Sequence, residues 1–352
     1  MSAHLRQEAA AMAGFAHGFR RQMFNPVPPI PADITLAGKT VLVTGSNAGL
    51  GLECARHFLA LGASLLVMAV RSLPKGEAAA EALRAEFPDG GARIEVWELN
   101  MASFRSVRAF AERCGRELPQ GRLHAAVLNA GLGAFEFRRV GEGRGRETML
   151  QVNYLASALL ALLLLPLMKP SPTDPVREPG RLTLISSDAA LTAPLSDPGE
   201  GNSLLDSLDR AEAFDGFAQY GVSKLLLTMF VAKLATGGRF VSADDVVVNV
   251  SNPGPTRGTQ LVAQGPLATR LFTGVLFGVC GRSAAEAARI YVHSNLVLGR
   301  GSHGGYTDWL VRAWPPMMYT EEGRRLGDKL WDETMKELSF AKVEELLEGL
   351  KR

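Results

Sequence analysis

From Gly38 onward, short apolar runs rich in β-branched residues alternate with longer stretches whose apolar positions return every three or four residues. The runs are Lys39–Val43, Ala63–Val70, Ala92–Leu99, His124–Ala130, Arg181–Ser187 and Asp245–Val250, with a weaker one at Gly304–Leu310. Runs of this length, apolar throughout, read as strands covered on both faces. Between them Leu50, Cys54, Phe58 and Leu61 recur at helical spacing, as do Val107, Phe110, Ala111 and Cys114, so each set lays one apolar stripe along a helix. The alternation predicts βαβ units: an α/β fold, doubly wound, on a seven-stranded parallel sheet. The most apolar stretch, Tyr154–Met168, falls short of the roughly 20 residues that cross a bilayer and predicts a buried helix.

Four segments depart from this rhythm. Residues 1–37 form an arm and linker: Leu5, Met12, Phe15, Phe19 and Met23 line one side of a helix, and prolines at 26, 28, 29 and 31 end it. Such a helix either packs on the body or lies on a membrane surface or a partner. It has no uninterrupted apolar core or cleavage site, so it is not a secretory signal. Residues 189–217 and 253–283 follow strand C-terminal ends, where open α/β sheets bind ligands, and are candidate substrate loops. Within the second, LFTGVLFGVC is either part of a lid or a core or dimer helix. Residues 320–352 carry charged helical segments, a C-terminal extension expected to be solvated on one face.

A chain of 352 residues admits two domains or one large one with extensions, and the strand count favours one, over 38–319. With 47% hydrophobic residues and a net charge of +2, the chain can bury a sizeable core and offers no polycation for nucleic acid. Three scattered cysteines, Cys54, Cys114 and Cys280, and six histidines show no metal-type spacing, so a reduced, metal-free, cytoplasmic protein is expected.

Directly after the first strand stands TGSNAGLG, Thr44 to Gly51. Glycines at 45, 49 and 51, where a strand turns into a helix, let the backbone approach a dinucleotide pyrophosphate, and the helix N-terminus supplies unpaired amides and partial positive charge. Ser46, Asn47 and Leu50 complete the expected cradle. About 20 residues on, where an NAD site usually offers an acid to the ribose, the chain reads VMAVRS. Arg71 is placed there to fork onto a 2′-phosphate, with Lys75 as a second cation, so NADP(H) is the expected cofactor.

Tyr220 and Lys224, in YGVSK, are four apart and share a helix face. A ketone that gains hydride also gains a proton. Lowering a phenol by about 3 pKa units takes about 4 kcal/mol, which a neighbouring ammonium and an oxidised nicotinamide ring would supply. Ser186 and Ser187 close the preceding strand, where a hydroxyl can hold the substrate oxygen beside the tyrosine.

With these motifs in order, the sequence resembles the short-chain dehydrogenase/reductase family from about Gly38 to Asp308, most closely its NADP-preferring branch of retinol-dehydrogenase-like and fungal secondary-metabolism reductases. The resemblance implies a Rossmann sheet and a catalytic tetrad of Asn153, Ser187, Tyr220 and Lys224. It also implies cofactor contacts from Thr44 and the glycine turn, from Asn129, Ala130 and Gly131, and from Pro253 and Gly254. The expected threonine after Pro-Gly falls on Thr256 or Thr259. Asn100 stands where the family usually has aspartate and can still pair with the adenine edge. A homodimer or homotetramer using the Tyr154–Met168 helix is expected by resemblance. The implied activity is reduction of a bulky apolar ketone or aldehyde, of polyketide, terpenoid or steroid-like type, or the reverse oxidation. The alternatives are a non-redox dehydration or epimerisation through the same tyrosine, and nucleotide binding without turnover.

Overall fold

Strand β1, Thr40–Thr44, is buried on both faces and sits at the centre of the sheet. Its side chains alternate between two cores: Val41 and Val43 face one, Leu42 the other. The computed structural model of the protein describes residues 8–9, 25–88, 91–171, 177–235, 238, 240–257, 277–278 and 280–350. The LFTGVLFGVC segment up to residue 276, Thr259 and most of the N-terminal helix lie outside the described residues.

Parallel strands β2 (Leu65–Val70), β3 (Arg93–Glu98), β4 (Ala125–Leu128), β5 (Gly180–Ile185), β6 (Val246–Ser251) and β7 (Tyr306–Thr307) join β1 in the order 3-2-1-4-5-6-7. An eighth strand, β8 (Val311–Arg312), pairs antiparallel with β7 at the edge, so the sheet has eight strands rather than seven and is not wholly parallel. The strand order reverses between β1 and β4, which opens a crevice at their C-terminal ends.

Helices α1 (Gly49–Ala60), α2 (Leu73–Glu86) and α6 (Ala284–Val292) cover the face of Val41 and Val43. Helices α3 (Phe104–Glu117), α4 (Ala156–Met168) and α5 (Gly216–Ala235) cover the other. Ser103 starts α3 by accepting the Ser106 amide, which satisfies one of the amides a helix start leaves open. A π-helical turn, Leu150–Leu155, runs into α4, so the apolar helix extends over Leu150–Met168, 19 residues with mean hydropathy 1.8. That length would span a bilayer, yet the helix is a core element, almost wholly enclosed by its own chain.

The C-terminal segment is part of the same core. Helices α7 (Glu321–Glu337) and α8 (Val343–Leu350) place Leu326, Leu330, Trp331, Met335, Val343 and Leu347 against α4 and α5. Thr320 caps α7 by accepting the Gly323 amide, with Glu321 and Glu322 favourable in its first turn. Tyr154 Oη lies 2.5 Å from Thr334 Oγ1, inside the seam. The chain's own tail thus packs on the helix Tyr154–Met168. The proline linker is docked too, since Val27 packs with Ile290 and Trp309, and His293 meets the Pro28 carbonyl at 3.0 Å.

Candidate active site

The crevice floor is built by the turn after β1. Gly45 and Gly49 have φ of +65° and +57°, a left-handed conformation that side chains rarely adopt. A Cβ on Gly51 would lie 2.3 Å from the Gly45 carbonyl oxygen, so a side chain there would force the turn and α1 apart. Thr44 and Asn129 tie this turn to the segment after β4. Thr44 Oγ1 accepts the Ala130 amide at 2.9 Å, and Asn129 Nδ2 donates to the carbonyls of Thr44 (3.0 Å) and Gly45 (3.3 Å). Tyr291 on α6 donates to Asn129 Oδ1 at 3.3 Å and holds that amide from behind.

The residues fit a dinucleotide. The Ser46 side chain is fully buried in the turn, and its hydroxyl has no hydrogen-bond partner among the described residues. A Cβ on Gly49 would meet nothing within 4 Å, so the helix start is open to an incoming anion, while Asn47 and Leu50 keep partial exposure beside it. Arg71 and Lys75 are exposed at the end of β2 and the start of α2, and no carboxylate among the described residues pairs with either. Asn100 uses Oδ1 to accept the Ala102 amide at 3.1 Å, which leaves its NH2 group as the donor for a base edge. Across the crevice, Pro253 and Gly254 (φ +69°) follow β6, and buried Thr256 donates to the Gly254 carbonyl at 3.1 Å.

Ser187, Tyr220 and Lys224 converge at the end of β5. The Ser187 side chain faces the Tyr220 hydroxyl, and Tyr306 Oη donates to the Ser187 carbonyl at 3.1 Å. Ser186 points away: its hydroxyl is buried against the Lys224 carbonyl and Thr228 Oγ1, each at 3.1 Å. The serine pair is thereby divided into one residue for the cleft and one for the core. Lys224 Nζ donates to the Ile185 carbonyl at 2.9 Å and stands 5.8 Å from the centre of the Tyr220 ring.

Asn153 lies in the π-helical turn, fully buried. Its side chain accepts the Leu132 amide at 2.9 Å and donates to the Leu132 carbonyl (2.9 Å) and to Ser223 Oγ (3.0 Å). Gly131 is required where these groups meet, because a Cβ there would come within 3.2 Å of both Asn153 Oδ1 and Lys224 Nζ. The extra residue of the π turn aims Asn153 inward from the start of an otherwise apolar helix.

Burial pushes the Tyr220 phenol up to about 12, opposed by the Ser187 hydroxyl and reinforced by the Asp188 carboxylate. Tyr220 as a residue keeps some exposure, but its hydroxyl end is densely surrounded. Burial also draws Lys224 down to about 8. In the chain by itself desolvation therefore outweighs the ammonium, and the phenol is held protonated rather than acidified.

Sequence reading missed Glu147. Fully buried, its carboxylate accepts the amides of Met149 (2.9 Å) and Leu150 (3.0 Å) at the start of the π turn, and the side chain of Gln219 (2.9 Å), next to Tyr220. It spans the two helices that carry Asn153 and Tyr220. Burial raises its pKa, offset by those three donors. In GRGRETML it reads as one more surface charge, and no local pattern marks it.

Comparison with known proteins agrees with this geometry. The short chain dehydrogenase family pattern matches residues 39–196. The short chain dehydrogenase virL of Hypocrea virens is 40% identical over 100% of both chains. The short chain dehydrogenase/reductase mfmJ of Annulohypoxylon moriforme is 40% identical over 96% of this chain and 95% of its own. Among solved structures, the L-sorbose reductase of Gluconobacter frateurii, complexed with NADPH and L-sorbose, shares the fold with a TM-score of 0.57 at 22% identity, over 80% of this chain and 98% of that one. A fold that converges a glycine turn, Ser187, Tyr220 and Lys224 on one crevice, together with whole-length relatives at 40% identity, makes this chain a member of the short-chain dehydrogenase/reductase family of oxidoreductases.

Proposed function

We propose that the protein is an NADPH-dependent carbonyl reductase acting on a bulky, apolar ketone or aldehyde. The observation that carries this reading is the convergence of Ser187, Tyr220 and Lys224 at the C-terminal end of β5, with Lys224 behind the Tyr220 ring. The bound dinucleotide supplies the hydride. Ser187 orients the substrate oxygen, and Tyr220 delivers a proton to that oxygen as negative charge develops on it. A phenol held near pKa 12 is fully protonated at neutral pH, as a proton donor must be, and an alkoxide is a strong enough base to take its proton. Lys224, charged below about pH 8, then stabilises the phenolate left behind.

Arg71, exposed and without a carboxylate partner among the described residues, supports a 2′-phosphate and hence NADPH over NADH. Two fungal relatives of matching length and an apolar cleft wall support a secondary-metabolite ketone as substrate. Incubation with NADPH and a panel of bulky ketones tests the reading: cofactor oxidation matched by products heavier by two hydrogens is expected. Tight NADPH binding with no turnover on any ketone would overturn it.

A further inference from the structure

Three alternate residues after the Asn129–Gly131 segment pair in succession with the end of the insertion that precedes Tyr220. Phe135 meets Phe217 at 5.1 Å between ring centres and 77° between planes; Phe137 meets Phe214 at 5.7 Å and 78°. Arg139 closes the series on buried Asp209, donating to Oδ1 at 3.1 Å and to the carbonyl at 2.8 Å. The partners run in opposite directions along the two segments, so the three pairs form an antiparallel zipper of side chains. A Cβ on Gly216 would lie 2.3 Å from the Ala134 carbonyl oxygen, so the backbones touch at its upper end.

That end opens on the cleft. Phe217 sits one helical turn before Tyr220 on α5 and, although large and apolar, is 53% exposed. Phe135 follows four residues after Gly131, which lies against Asn153 and Lys224. Along this wall Arg139 pairs with Asp209, Glu136 pairs with Arg138, and Asp215 accepts the Ala218 amide at the start of α5, while Arg210 and Glu212 are exposed.

We propose that the Phe135–Phe217 corner is the binding surface for a flat, uncharged, unsaturated ring in the carbonyl substrate. This rests on the reductase reading and narrows it. Two rings at 77° present a face and an edge to one guest, the arrangement that an aromatic ring satisfies on both sides. A saturated, puckered ring holds its carbons off both walls by its axial hydrogens and forfeits part of each contact. The zipper fixes the corner before substrate arrives, so little ordering is needed on binding.

The test compares 2-tetralone with 2-decalone, bicyclic ketones of similar size whose carbonyls are both unconjugated. Affinity is measured by calorimetry on the full chain with NADP+, and turnover with NADPH separately. The native protein is expected to bind 2-tetralone about tenfold more tightly. That preference is expected to fall within about threefold in Phe217→Ala and Phe217→Leu and to survive in Phe217→Tyr. Equal affinities in the native protein, no binding of either ketone, or a preference that persists without the ring at 217 would overturn the proposal. A preference in binding with no turnover would remove the reductase reading and leave the aromatic corner standing; turnover without preference would do the reverse.

Discussion

Lys224 stands behind Tyr220 with its Nζ 5.8 Å from the ring centre, and its hydrogen bond goes to the Ile185 carbonyl rather than to the phenol. Burial acts on the two groups in opposite senses, raising the phenol to about 12 and lowering the amine to about 8. The resting site therefore holds a neutral acid backed by a cation that is easily discharged.

Removing the acid should separate chemistry from binding. Tyr220→Phe is expected to lose at least about 100-fold in turnover while dinucleotide affinity stays nearly intact, because the ring remains and only the proton donor is lost. Fluorescence titration of NADPH and steady-state rates measure the two. In the native enzyme, reduction should decline as pH rises through about 8, where Lys224 loses its proton, and show no phenol titration below that. Near-normal turnover in the variant would take Tyr220 out of the mechanism.

The same lysine costs stability. Its folded pKa of about 8 lies below the ordinary 10.5, so below pH 8 the native state carries a buried charge that the unfolded chain solvates freely. The penalty is on the order of 3 kcal/mol, less roughly 1 kcal/mol for the bond to Ile185. Lys224→Met should thus unfold about 2 kcal/mol later in urea at pH 7, while losing activity. Between pH 8 and 10.5 the native state sheds this proton and the unfolded state keeps it, so native stability rises with pH and the variant's advantage shrinks to nothing. An advantage independent of pH across that window would show that Lys224 is not the strained group.

Cofactor choice turns on the exposed end of β2. Arg71→Asp puts a carboxylate where a 2′-phosphate would sit, repelling that dianion and offering an acceptor to a ribose hydroxyl. NADPH affinity should fall by more than tenfold and the NADH/NADPH preference should move toward NADH, read from kcat/KM with each. Unchanged selectivity would refute the phosphate contact.

What the sequence discloses and what it conceals divide along a physical line. The strands, the glycine turn and the pair Tyr220 and Lys224 are local: a run, a bend, one helical turn. Ser187 is readable only by its place at a strand end, and it took the fold to send Ser186 inward to Thr228. Glu147, Asp209 and Tyr291 are invisible, since each is defined by partners far along the chain, Gln219, Arg139 and Asn129. The two-residue strand β8 is too short to carry any period. The burial around the Tyr220 oxygen is hidden for the same reason: spacing gives neighbours, but desolvation depends on everything packed around the atom.

The tail is the clearest case of a segment whose charge pattern disguises its role. Trp331 stacks on Phe230 (5.7 Å, 20°) and on Phe240 (4.6 Å, 24°), so α7 is keyed into the core by one indole held between two rings. Truncating a buried ring of this size costs about 3–5 kcal/mol, and Trp331→Ala should shift the urea midpoint accordingly. With the tail covering α4 and α5, we expect the native protein to sediment as a monomer at micromolar concentration. Loosening α7 uncovers α5 and frees α8 from apolar α4, so the variant should instead associate, with intermolecular crosslinks mapping to residues 154–168. A native dimer crosslinked through those residues would mean that the tail yields its place to a second copy, and a Trp331→Ala protein as stable as the native one would mean that α7 is an appendage after all.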